Sequence, residues 1–222
     1  MSIQLFNDDC LKVLKNIPDN SIDLICCDPP YRVISGGKPH KKGQPSGMLS
    51  KNDGKIFEHN DIKPEMWIPE AYRVLKEGSQ CYIMTNTLNM ERCLRICRET
   101  GFGLHNILVW LKNNTVTNRW YMKNCEYVLF LRKGEAKSIN NKGSQTVHQF
   151  NNIIGNKRHP TEKPVELIKY YIENSSNVGD TVLDMFMGVG STGEAAKELG
   201  RNFIGIEIDK KYYTIAEEKL LK

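Results

Sequence analysis

Asp28-Pro29-Pro30-Tyr31 follows the apolar run from Ile22 to Cys27, so a buried strand is expected to end there in a sharp turn. Pro29 and Pro30 bring no backbone N–H and have fixed φ, which leaves the turn rich in acceptors: the Asp28 carboxylate and the carbonyls freed beside it. Tyr31 adds a flat face. An exocyclic amino group on a nucleobase calls for such a surround. Its lone pair is delocalised into the ring, and the nitrogen becomes nucleophilic only when acceptors hold its two hydrogens and let it pyramidalise. The plainer alternative is a strand closing in a Pro-Pro turn with a capping Asp, and four residues alone do not decide between the two.

A second chemical segment lies near the other end. Thr181-Val182-Leu183-Asp184 reads as a strand, Met185 to Gly190 as a glycine-rich turn, and the residues through about Leu199 as a helix. Glycines there let the backbone approach a ligand closely. A further short strand, 203–208, carries Glu207 and then Asp209 at its end. An acidic side chain about twenty residues after a glycine turn is placed to accept both hydroxyls of a ribose. Asp184 argues against a dinucleotide, because it precedes the glycines and would repel a pyrophosphate, whereas it could accept from the amino group of a methionine moiety. A βα turn without a ligand is the plain alternative here.

With His159-Pro160-Thr161-Glu162-Lys163-Pro164 just before that turn, these segments resemble the S-adenosylmethionine-dependent amino DNA methyltransferases, which act on adenine N6 or cytosine N4. The order, catalytic motif first and cofactor turn last, is similar to the β group of that family, and the resemblance spans nearly the whole chain. Asp9 matches the family's acidic residue near the cofactor adenine, although Asp8 stands where a glycine is usual. Arg73 to Gly78, Ile107 to Lys112, and Cys125 to Phe130 resemble the family's stretches around its later strands. The resemblance implies that Asp184, Phe186 and Gly188 contact S-adenosylmethionine, Glu207 its ribose, and Thr161 and Lys163 its methionine end. Asp28, Gly190, Ser191 and Ile208 complete that implied set.

The elements that must position these residues follow from apolar spacing. Strands are expected over 3–6, 22–27, 80–84, 107–111 and 127–131, the last antiparallel, with helices near 9–15, 64–75, 89–100 and 164–174. Alternating strands and helices imply an α/β, doubly wound, Rossmann-like mixed sheet covered on both faces, in circularly permuted motif order, with one antiparallel strand near an edge. Ligands then sit at the carboxyl ends of the strands, where Asp28 and Asp184 both lie. A chain of 222 residues can form one such domain. Seven cysteines, an odd number without a signal peptide or long apolar span, point to a reducing cytoplasm and to no membrane. Cys93 and Cys97 share a helix face, but no second pair stands at zinc spacing.

The formal net charge is +5, unevenly spread. Residues 32–60 carry +4 and residues 112–158 carry +7, leaving the remainder at −6. Two basic segments on an acidic scaffold resemble a nucleic-acid footprint, with solvated loops as the alternative. The segment 33–60, with many glycines and prolines and with Lys38, Lys41 and Lys42, has too little apolar surface to fold alone and is expected to become ordered on DNA. The segment 134–158 is polar and occupies the place where the β group carries its target-recognition region. Lys142, Gln145, Gln149 and Asn152 there could meet phosphates and base edges. Arg119 with Trp120 and Tyr121 suits a DNA face, the two aromatics being equally consistent with core.

The chemistry so implied is metal-free. A base inside a duplex must be flipped out to reach a buried cofactor. Asp28 and the Pro29 carbonyl would hold the amino hydrogens while Tyr31 stacks on the base. No cysteine stands in a Pro-Cys context for attack on a pyrimidine ring, which disfavours 5-methylcytosine chemistry. Asp at the first motif position resembles adenine enzymes, so adenine N6 in double-stranded DNA is the expected target. Cytosine N4, an RNA or protein amide, and a DNA-binding module without turnover are the alternatives. The resemblance leaves open a homodimer and a cognate restriction nuclease.

Overall fold

The structure, a computed structural model, describes residues 1–30, 62–116, 121–135, 137–155, 158–159 and 161–222. Tyr31, the segment 33–60 with Lys38, Lys41 and Lys42, and Arg119 with Trp120 lie outside the described residues. The chain divides into two compact units: Met1–Pro29 with Pro64–Lys222, and Pro30–Lys63. Every helix and strand among the described residues belongs to the first.

In chain order that unit runs β1 (Ile3–Phe6), α1 (Cys10–Leu14), β2 (Ile22–Cys27), α2 (Pro64–Val74), β3 (Leu75–Thr85), α3 (Met90–Thr100) and β4 (Gly103–Val116). It continues with β5 (Lys123–Arg132), β6 (Val147–Gln149), α4 (Val165–Ser175), β7 (Thr181–Asp184), α5 (Ser191–Glu198), β8 (Asn202–Ile206) and α6 (Lys210–Leu220). The strands form one eight-stranded sheet in the order β1-β8-β7-β2-β3-β5-β4-β6. All neighbours are parallel except β5, which runs antiparallel to both β3 and β4, third from one end. This is the expected doubly wound α/β architecture.

The pleat divides the apolar residues of β2 between two faces. Leu24 and Cys26 join a core with Tyr82, Trp110 and Phe130 from the sheet, Leu167 and Tyr171 from α4, Ala195 from α5, and Ala216 and Leu220 from α6. Ile25 and Cys27, also buried, point the other way, and α1, α2 and α3 pack in series as a second layer. Two cations brace that second layer, one within it and one against the sheet. Arg73 of α2 donates to Leu14 O and Ile17 O at the end of α1, at 2.7 and 2.9 Å. Lys133 is buried after β5 and donates to Tyr72 O, Leu75 O and Asn20 Oδ1, each at 2.8 Å. It thereby satisfies carbonyls left over at the end of α2. Burial pushes the Lys133 ammonium below its ordinary value.

Two elements go beyond the spacing argument. β6 lies inside the polar segment 134–158 and adds a parallel edge strand to β4, pairing Trp110 with His148. α6 follows Glu207 and closes the far end of the core. β3 is longer than the expected 80–84, because its ladder with β2 already starts at Leu75, opposite Ile22. No helix among the described residues is long and apolar enough to cross a membrane.

Candidate active site

β2 and β7 are neighbours at the middle of the sheet, with Ile25 opposite Leu183. From β7 the chain winds outward to β8, and from β2 it winds to β3 on the other side. Asp28 and Asp184 therefore emerge together at the point where the winding reverses, the usual crevice of an open α/β sheet.

Asp28 is held from one side. Lys163, from the segment leading into α4, donates to Asp28 Oδ2. Oδ1 is out of solvent and has no hydrogen-bond partner among the described residues. Burial raises the Asp28 carboxyl above its ordinary value, and Lys163 works against that rise. Behind Lys163 stands Glu126 at the start of β5, with Oε2 3.5 Å from the ammonium. Glu126 Oε1 in turn accepts from Lys112 of β4 at 3.0 Å. Burial opposes the charge of Glu126, but Lys163 and Lys112 overcome it and hold the carboxyl below its ordinary value. The four groups alternate in sign along a line from the tip of β2 to β4.

The glycine turn is braced by its own acids. Asp184 is buried, and its Oδ1 accepts from Phe186 N at 3.0 Å. Burial pushes its carboxyl up to about 7, although bonds from Thr192 and Phe186 N oppose the shift. Glu207, one residue beyond β8, accepts from Gly188 N at 2.9 Å and from Asp209 N at 2.8 Å, one on each oxygen. Burial raises this carboxyl too. Each oxygen keeps a second lone pair for another donor. Gly188 has φ +53, and among the described residues a Cβ there would meet the His159 ring alone, at 4.0 Å, so no described residue fills the space above the turn. Gly190 has φ +81 and turns the chain into α5 at Ser191. The Phe186 ring is gripped edge-on by Trp67 of α2, centroids 5.3 Å apart.

The remaining residues frame this turn. Asp9 caps α1 by accepting from Leu11 N at 2.8 Å. Asn7 Nδ2 donates to Glu207 O and Ile208 O at 2.9 and 3.2 Å, pinning the loop after β8 to β1. Thr161 N donates to His159 Nδ1 at 3.2 Å, and the His159 ring packs on Tyr212 at 4.3 Å. Ile208 is exposed.

The structure thus brings Asp28, Lys163, Asp184, Phe186, Gly188 and Glu207 to one end of the sheet. Lys163 donates to Asp28; the family resemblance implied for it the methionine end of a cofactor, which this bond leaves open. Asn7, Lys112, Glu126 and His159 were not foreseen. An acid opening an otherwise apolar strand was the one signal that pointed to Glu126. Among the described DNA-face candidates, Lys142, Gln145 and Gln149 are exposed. Asn152 instead ties its amide to Asn114 Oδ1 at 3.0 Å. Tyr121 is 94% exposed, which removes it from the core. Cys93 and Cys97 are buried thiols on α3.

Comparison with known proteins agrees with this geometry. The family model for N6 and N4 DNA methylases matches residues 22–218. The type II methyltransferase M.HinfI of Haemophilus influenzae is 33% identical over 97% of this chain and 67% of its own length. The type II methyltransferase M2.DpnII of Streptococcus pneumoniae is 32% identical over 97% of this chain and 88% of its own. Among solved structures, the M1.HpyAVI–SAM complex superposes with a TM-score of 0.75 at 27% identity, covering 98% of this chain and all of that one. The PvuII cytosine-N4-specific DNA methyltransferase shares the fold, with a TM-score of 0.76 at 17% identity over 100% of this chain and 87% of that one. The chain belongs to the N6/N4 DNA methylase family.

Proposed function

We propose that this protein transfers a methyl group from S-adenosylmethionine to N6 of adenine in double-stranded DNA, within a restriction–modification pair of the kind its type II relatives belong to. The carrying observation is the Asp28 carboxylate, with Oδ2 engaged by Lys163 and Oδ1 buried without a partner among the described residues, beside the glycine turn. A buried acceptor left open costs free energy unless a donor arrives, and an amino group is such a donor.

The residues fit the cofactor. A nucleoside with ribose hydroxyls and a positive charge suits a turn surrounded by Glu207, Asp184 and Asp9, and the space above Gly188, which no described residue fills, leaves room for it. Glu207 would hold the ribose, the backbone around Phe186 and Gly188 the body of the molecule, and Asp9 with Ile208 the adenine side. When bound, S-adenosylmethionine supplies a sulfonium methyl, already a good electrophile. The chain's task is then positioning and prearranged acceptors. The target base leaves the helix stack, because an amino nitrogen inside a duplex cannot reach an acceptor that is out of solvent at the tip of β2. Asp28 Oδ1 accepts one amino hydrogen and the Pro29 carbonyl the other, and the nitrogen lone pair is freed for attack. Tyr31, by its place in the motif, stacks on the base.

Adenine is favoured over cytosine by the Asp at the first position of the motif. Mass spectrometry of nucleosides from DNA of cells expressing the protein tests the reading. N6-methyladenine is expected, and N4-methylcytosine as the sole product overturns the choice of base. A cognate nuclease and a homodimer belong to the same proposal, as does a reducing cytoplasm, which suits seven free cysteines.

A further inference from the structure

We propose that Glu126 is a positioning residue for methyl transfer: through Lys163 it holds the Asp28 carboxylate with Oδ2 engaged and Oδ1 presented to the target amino group. The inference rests on the assignment of Asp28 as the acceptor for that amino group.

The members of the chain are anchored differently. Asp28 and Lys163 both lie outside regular structure, Asp28 just past β2 and Lys163 just before α4. A lysine ammonium is a point charge on a flexible stem, and it does not by itself fix the rotamer of its partner. Glu126 is different. It lies in β5, paired directly with Trp110 of β4, and β5 is laddered to β3 on its other side. Its backbone is therefore fixed by pairing with Trp110, one residue from Tyr127, where β5 is also laddered to β3. Lys163 reaches Asp28 Oδ2 on one side and Glu126 Oε2 on the other, with Thr161 O 3.4 Å away. Asp28 and Glu126 both help to define where the ammonium sits, and the ammonium takes Oδ2 of Asp28.

Charge supports the same role. Lys163 alone against Asp28 would neutralise the carboxylate and weaken it as an acceptor. Glu126 competes for the ammonium, so Asp28 keeps acceptor strength at Oδ1. Lys112 then balances Glu126: its side chain is only 8% exposed and its ammonium also lies over the Trp110 ring, 5.7 Å from the centroid. Removing one member of a largely buried alternating chain, in which Asp28 and Glu126 are half-buried, leaves its neighbours uncompensated, which makes the members interdependent.

That interdependence supplies the test. Single-turnover methyl transfer at saturating S-adenosylmethionine and DNA is measured for the wild type, Glu126→Gln, Lys163→Met and the double variant, with cofactor affinity by calorimetry. Glu126→Gln should lower the transfer rate on the order of tenfold to a hundredfold, with cofactor affinity and the KM for DNA unchanged within about twofold. In the Lys163→Met background the same substitution should cost nothing further, because its route to Asp28 is already cut. Rate reductions that multiply in the double variant, or a fall in cofactor affinity equal to the fall in rate, overturn the proposal. Lys112→Met, read in the same way, keeps it falsifiable should Glu126→Gln not fold: a smaller rate reduction that vanishes in the Lys163→Met background is expected, and a wild-type rate overturns it. Asp28→Ala separates the two layers of argument. Transfer by Asp28→Ala refutes the acceptor assignment itself, whereas an inactive Asp28→Ala beside a fully active Glu126→Gln removes only the positioning role.

Discussion

Two carboxylates emerge from adjacent strands at this site, and their surroundings give them different work. Asp28 has a lysine on one oxygen and nothing described on the other; Asp184 spends an oxygen on Phe186 N. Burial raises Asp184 from 3.8 to about 7, so the folded protein binds that proton more tightly than the unfolded chain does. Stability from this group is fully present below the unfolded value and is lost as pH rises through the folded one. Asp184→Asn keeps a side-chain oxygen for Phe186 N but cannot titrate. In the cofactor-free protein it should flatten the fall in Tm between the unfolded value of 3.8 and about 7, and a wild-type slope in calorimetric scans would remove Asp184 from the linkage. Glu207 has a more direct part in the proposed binding, because both of its oxygens already order the turn proposed to meet the ribose. Glu207→Ala should weaken S-adenosylmethionine by roughly 1–3 kcal/mol, the usual effect of leaving buried groups unsatisfied. Titration calorimetry showing wild-type affinity would place the ribose elsewhere.

Elements set these residues in place through close packing, and one tight joint is beneath the glycine turn. A Cβ at Gly193 in α5 would stand 2.5 Å from Leu220 Cδ1 and 2.7 Å from Phe203 Cε1, both buried. Gly193→Ala should therefore overpack the α5, α6 and β8 junction by about 1–3 kcal/mol. It should weaken cofactor binding as well, since α5 carries the turn; denaturant unfolding with an unchanged midpoint would show that the joint has room. The glycine itself was plain in the sequence, and so were β1, β2 and β7, whose apolar runs are short and well bounded. α6 was not, because its buried face of Tyr213, Ala216 and Leu220 is thin and carries one small residue. β6 has three residues with a histidine at the centre, too short for any period. Asp28, Asp184 and Glu207 were legible because strand tips and a glycine turn mark their places locally. The pairing of Lys163 with Asp28 and Glu126 was hidden by a sequence separation of 135 in one direction and a strand crossing in the other.

At the scale of the molecule the same difficulty affects charge. The basic excess of residues 112–158 reads in sequence as one surface, yet Lys112 and Lys133 are interior and Arg158 is paired with Glu162. Among the described residues of that stretch, Lys123, Lys137 and Lys142 are the exposed lysines. The segment 32–60 contributes a further +4, so Lys38, Lys41 and Lys42 carry more of the proposed contact with phosphate than the sequence totals suggest. Changing those three lysines together to alanine should weaken DNA binding for all sequences alike. It should also reduce the log–log salt slope by up to ~0.9 for each phosphate that is no longer neutralised. Gln145 and Gln149, exposed around the β6 edge strand, should act differently: alanine there should alter which sequence is methylated while leaving the salt slope intact. DNA affinity measured over a salt series, beside sequencing of methylated sites, separates the two surfaces. A triple lysine variant with the wild-type slope would take the first basic segment out of the interface and leave recognition to the β6 edge alone.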